Sequence, residues 1–220
     1  TASHSIAEWE KTIELKKLFP NQVFTSFGIH PQNPDPDLLP FLEGILQSKN
    51  PPDIIGEIGF DLFNESYKKT EKVQEKIWNV CLDLAIKYKK PILIHSRKAM
   101  HKIFADTKKL KTLPSVIFHS FPGSPIEAHS FLEKGVNAYF SFGKPLLNGH
   151  KNGIASLKAL PLERILLETD APYQTLKGEM ETKLSDIKLV YEKAAFLRGE
   201  VIENFAFQIE ENFRALLNIV

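Results

Sequence analysis

Short apolar runs alternate with segments of helical period along most of this chain. The runs at 23–29, 53–58, 91–95, 115–119, 138–141 and 164–168 are rich in Val, Ile, Leu and Phe and carry no regular polar face. That pattern predicts strands buried on both sides. Between them, 38–49 follows Asp35-Pro36, a cap and first-turn signal, and 69–89 repeats apolar residues at Val73, Ile77, Val80, Cys81, Leu84, Ala85 and Tyr88, the spacing of one helix face. Ser124-Pro125-Ile126-Glu127 has capping-box spacing and opens a helix expected to stop at Gly135. A shorter helical piece is expected at 156–160, and two helices at 183–198 and 201–219 close the chain.

Strand and helix alternate without a long linker or a break in composition, so the expectation is one α/β domain over 1–220 with a parallel sheet. Five residues that can ligate a metal, His30, Glu57, His95, His119 and Asp170, each end one of the apolar runs. In a parallel α/β barrel the active site is built from the C-terminal ends of successive strands, whereas an open doubly wound sheet gathers its ligands at one switch point. The placement therefore favours a TIM barrel. Such a barrel needs eight strands and typically runs to about 250 residues, and only six strand signals are legible here. Two strands are expected to be missing at the front, together with on the order of forty residues.

Composition narrows the function classes. The net charge of +1 advertises no global nucleic-acid field, and the lysine clusters at 87–90 and 108–111 fall at expected helix C-termini, where cations favour the dipole anyway. The lone cysteine, Cys81, lies in a helical stripe, which makes it a small buried thiol and argues against redox chemistry. No apolar run approaches the length of a membrane span and no charged-then-apolar leader is evident, so the expected setting is the cytoplasm, with neither a membrane nor an obligate protein partner.

His95 and His119 end consecutive strands, and with Glu57 they make a donor set that suits zinc while leaving room for water; further carboxylates would also suit manganese or magnesium. Asp170 reads as a ligand that also takes a proton, or as a helix cap or ion pair. Glu168, two residues earlier, would point to the same side of an extended strand. His30 could ligate or could hydrogen-bond a phosphate. Arg97 offers a bidentate fork for phosphate oxygens, with a surface salt bridge as its bland alternative. The loop Phe121-Pro122-Gly123-Ser124 leads into a helix N-terminus suited to an anion.

Taken in order, Gly28-Ile29-His30-Pro31, Ile55-Gly56-Glu57-Ile58-Gly59-Phe60-Asp61, Pro91-Ile92-Leu93-Ile94-His95-Ser96-Arg97, His119-Ser120-Phe121-Pro122-Gly123-Ser124 and Leu167-Glu168-Thr169-Asp170-Ala171-Pro172 closely resemble the TatD-type metal-dependent deoxyribonucleases. The likeness continues through Ser141-Phe142-Gly143 to Glu211-Asn212-Phe213-Arg214. It implies a distorted TIM barrel of the amidohydrolase superfamily, two divalent metals (Mg, Mn or Zn) and hydrolysis of DNA phosphodiester bonds by a metal-activated hydroxide, at a single strand or strand end in the manner of an exonuclease. By that likeness Glu57 bridges the two metals, His95 and His119 hold one, and Asp170 holds the other and assists the water. His30 and Arg97 lie on the substrate side, and Asp61 matches a recurrent acidic position beside the site.

The chain departs from the family pattern in three places. A His-x-His strand is absent, His4 being isolated; Phe60-Asp61-Leu62-Phe63 replaces a commoner Leu-Asp-Tyr version; and 174–184 lacks the usual arginine-bearing loop. Two other readings stay open on the sequence: a superfamily relative acting on a small amide, lactone or phosphoester, and a non-catalytic nucleic-acid-binding descendant.

Overall fold

The computed structural model describes residues 1–219, in two compact units, Thr1–Ile117 and the residues from Phe118 onward. In the first unit, strands β1 (Ala2–Ser3), β2 (Ser26–Phe27), β3 (Ile54–Asp61) and β4 (Ile92–Arg97) pair in chain order, all parallel. Helices α1 (Ile6–Leu18), α2 (Leu39–Leu46), α3 (Glu65–Lys68) and α4 (Glu71–Tyr88) make the connections, and α5 (Met100–Ala105) and α6 (Thr107–Leu110) follow β4. Every residue of β3 is buried, as its unbroken apolar character predicts. Strand β5 (Val116–Phe118) begins in the first unit and ends in the second. The second unit continues with α7 (Pro125–Glu133), β6 (Ala138–Phe142), α8 (Lys151–Ala159), β7 (Ile165–Leu167), α9 (Ile187–Arg198) and α10 (Ile202–Leu217), with β6 and β7 parallel.

Among the described residues all six expected strands form, and a seventh, β1, pairs with β2. Two residues are too few to show a period, so this strand leaves no pattern in the sequence. The run at 23–29 contracts to Ser26–Phe27, and on its N-terminal side the Thr25 amide donates to the Asp53 carboxylate at 2.7 Å instead of to a ladder. Helix α8 starts earlier than expected, at Lys151, since His150 Nδ1 caps it by accepting from the Gly153 amide at 3.1 Å. The face of α4 also shifts: Trp78 and Leu82 are buried and Val80 is exposed. Cys81 is fully buried, and burial pushes its thiol up to about 12, as suits an inert packing residue.

The second unit is built on aromatic rings. Phe118 stacks on Phe140 with centroids 5.2 Å apart and meets Phe131 and Phe121 at 4.7 and 5.8 Å. Buried Asn212 of α10 donates to the carbonyls of Leu162 and Ile165 at 2.7 and 2.8 Å, fastening that helix to the start of β7. Among the described residues no helix is long and apolar enough to cross a membrane.

Candidate metal centre

Glu57 owes its direction to an irregularity in β3. The register with β4 runs Ile55 to Ile92 and Gly56 to Leu93, then resumes with Ile58 opposite Ile94, so Glu57 is the extra residue of a bulge. A bulge bends the strand and re-aims one side chain, here a carboxylate. Glycines let the backbones close around it. A Cβ on Gly28 would lie 2.5 Å from the Gly56 carbonyl carbon, and one on Gly56 would lie 2.5 Å from the Leu93 Cβ. Those motif glycines are close-approach positions, not phosphate cradles.

Asp61, at the end of β3, is wholly buried and collects donors. Its Oδ2 lies 3.0 Å from His95 Nε2 and 2.8 Å from Gln32 Nε2, and its Oδ1 accepts the Phe63 amide at 2.9 Å. Burial alone would raise its pKa, but the hydrogen bonds from His95, Gln32 and Phe63 outweigh that and bring it to about 2. An ionised carboxylate only accepts, so His95 carries its proton on Nε2 and turns Nδ1 toward Glu57 Oε2, 3.8 Å away. His30 has the opposite polarity. The Gln32 amide donates into His30 Nδ1 at 3.2 Å, so the neutral ring keeps its proton on Nε2, which faces Glu57 Oε2 at 3.4 Å. His95 thus presents a lone pair and His30 an N–H. His4 meets His30 edge-on with centroids 5.1 Å apart, and burial holds its imidazole below the ordinary pKa.

The second unit repeats the theme. His119 Nδ1 lies 3.0 Å from Glu168 Oε1, and its Nε2 lies 3.5 Å from Asp170 Oδ1. Asp170 has φ +60, a left-handed conformation that Asp tolerates better than most residues, and its Oδ2 accepts from Gln174 Nε2 at 2.8 Å. Gln174 Nε2 also reaches Ser120 Oγ at 2.8 Å. The loop carrying Gln174 is tied down by Lys144, a fully buried ammonium paired with Glu179 at 2.5 Å and Asp186 at 2.9 Å.

Of the sequence-predicted residues, the first unit brings His30, Glu57 and His95 together, with ligand atoms all within 4.8 Å of one another. Arg97 stands beside them, 3.6 Å from Asp61. The second unit brings His119 and Asp170 together. The donor set fits a divalent metal. At bond lengths of 2.0–2.1 Å two ligand atoms of a tetrahedral ion are about 3.4 Å apart, and the Glu57–His95 and His119–Asp170 separations of 3.8 and 3.5 Å need only a small closure. Glu168 Oε1 and Gln174 Oε1 are buried and make no hydrogen bond, as suits a place where further donors or a cation come in.

One expectation fails. The start of α7 is no anion site, because Glu127 accepts from the Ser124 amide at 2.7 Å while its own amide is capped by Ser124 Oγ at 3.3 Å. Pro125 has no N–H to offer, so the capping box leaves the helix end nearly spent. His4, Gln32 and Lys144 escaped the sequence reading, since each acts through a partner more than twenty positions away, and Gln174 escaped it because an amide carries no signal of its contact with Asp170.

The model of the TatD related DNase family matches residues 1–218. A Danio rerio protein named as a candidate deoxyribonuclease is 30% identical over 205 residues, covering 88% of this chain and 75% of its own. The 3′-5′ ssDNA/RNA exonuclease TatD of Pantoea ananatis is 28% identical over 228 residues, covering 97% and 85%. Other relatives carry the name of metal-dependent hydrolases. The crystal structure of a TatD homologue from Escherichia coli superposes with a TM-score of 0.87 at 24% identity, covering 100% of this chain and 86% of that one, and this likeness bears out the α/β fold of TIM-barrel type. With motifs, fold and family model in agreement, the chain belongs to the TatD-related DNase family of metal-dependent hydrolases.

Proposed function

We propose that this protein is a deoxyribonuclease that removes nucleotides from an end of single-stranded DNA, in the cytoplasm, with residues 1–220 acting as one catalytic domain. The observation that carries the reading is the close grouping of Glu57 and His95 with His30 beside them, in a chain whose family model matches residues 1–218. The Pantoea relative, named a 3′-5′ ssDNA/RNA exonuclease, supports the substrate class.

In this reading Glu57, His95, His119 and Asp170 are the residues that would hold divalent ions. When bound, such ions lower the pKa of water and offset charge on a phosphoryl oxygen. Asp61 keeps His95 in the Nε2–H form, so that Nδ1 is the nitrogen turned toward Glu57. Glu168, 3.0 Å from His119 Nδ1, stands behind that ring as a charged neighbour. Asp170, steadied by Gln174, takes the proton from the attacking water. His30 Nε2–H and the Arg97 guanidinium bind non-bridging phosphate oxygens. Incubating the protein and manganese with a 5′-labelled oligonucleotide tests the reading. A ladder shortening from the 3′ end supports it, and an intact strand refutes it.

A further inference from the structure

We propose that Phe63, with Arg97 and Lys98, forms a nucleotide-binding subsite that stacks a base of single-stranded DNA; the inference deepens the nuclease reading and rests on it for the identity of the ligand. Phe63 follows the buried pair Asp61 and Leu62, yet it is itself 48% exposed. The register of β3 and β4 fixes what stands around it. Asp61 lies opposite Arg97, and the Leu62 amide donates to the Arg97 carbonyl at 2.9 Å, so Phe63 and Lys98 leave the two strand ends side by side.

The Arg97 guanidinium carbon lies 4.0 Å from the Phe63 ring centroid and Lys98 Nζ lies 4.9 Å from it. Lys98 reaches this place with φ +54, an unfavourable conformation for a lysine, of a kind that gathers at ligand clamps. It makes no ion pair among the described residues, and Arg97 shares Asp61 with His95 and Gln32. A half-exposed aromatic ring with two incompletely neutralised cations against it is the combination that binds single strands, with bases on the accessible part of the ring and phosphates on the charges. The link from ring to chemistry is short. Arg97 touches Asp61, Asp61 holds His95, and His95 faces Glu57. A phosphate on Arg97 would therefore be close to the ligand group, with its base against Phe63.

Equilibrium binding in chelator separates this subsite from turnover. The probes are a fluorescent single-stranded DNA and the same strand with abasic positions at its 3′ end. Wild type should prefer the base-bearing strand by about tenfold, Phe63→Ala should bring that preference close to one, and Phe63→Trp should keep it. Phe63 is half exposed, so these variants should fold. An undiminished preference in Phe63→Ala, including the case where both strands weaken equally, would overturn the proposal by reducing the ring to a prop for Arg97. Equal affinity of wild type for the two strands would overturn it as well. Wild type that prefers the base-bearing strand but degrades none in manganese would refute the nuclease reading and leave the subsite standing.

Discussion

Asp61 Oδ2 lies 3.0 Å from His95 Nε2, and this contact decides which nitrogen of the histidine carries the proton. A carboxylate behind a ligand histidine fixes the tautomer and ring orientation, and its loss typically costs 10–100-fold in metal affinity. Asp61→Asn should therefore weaken zinc binding by about that factor, measured by titrating metal-free protein in a calorimeter. Unchanged affinity in a folded variant would assign the contact to packing alone. The same contact sets an acid limit on stability. The pKa of Asp61 falls from 3.8 to about 2 in the fold, so its contribution is present above pH 4 and lost as pH falls toward 2. The stability gap between wild type and Asp61→Asn should narrow across that window in urea titrations, and a constant gap would contradict the assignment.

Glu57→Gln and Asp170→Asn each remove a ligand charge while keeping nearly the same volume. Turnover should fall by about a hundredfold or more with little change in melting temperature. An Asp170→Asn protein that unfolds would show that Asp170 serves the His119 and Gln174 contacts first.

Arg97→Lys keeps the charge and loses the planar fork, so it should still reduce phosphodiester turnover. If Arg97→Ala were kinetically silent, the 3.6 Å contact with Asp61 would be its whole role.

Asn212→Ala should destabilise the protein by roughly 1–3 kcal/mol, because it leaves the Leu162 and Ile165 carbonyls without the donor they share. Chemical denaturation measures this. A loss of activity without a loss of stability would place Asn212 in the site instead of in the fastening of α10.

The strands were legible because both of their faces are buried, which leaves continuous apolar runs such as Ile92-Leu93-Ile94. Ligand-type residues were legible because each ends such a run. What one sequence does not display is register. The bulge that turns Glu57 depends on how β3 meets β4, and the tautomers of His30 and His95 depend on Gln32 and Asp61. Glu168 was expected beside Asp170 from strand alternation, but its approach to His119, 49 positions earlier, needed the fold. The α7 start misled for a related reason: the sequence displayed the cap and the anion site together, and the capping box consumes the donors an anion would need.

Metal dependence tests the central claim most directly. Protein stripped with chelator should leave single-stranded DNA intact, and manganese, magnesium or zinc should restore hydrolysis in wild type but not in Glu57→Gln. Full hydrolysis in excess chelator, or equal rescue of Glu57→Gln, would contradict the account.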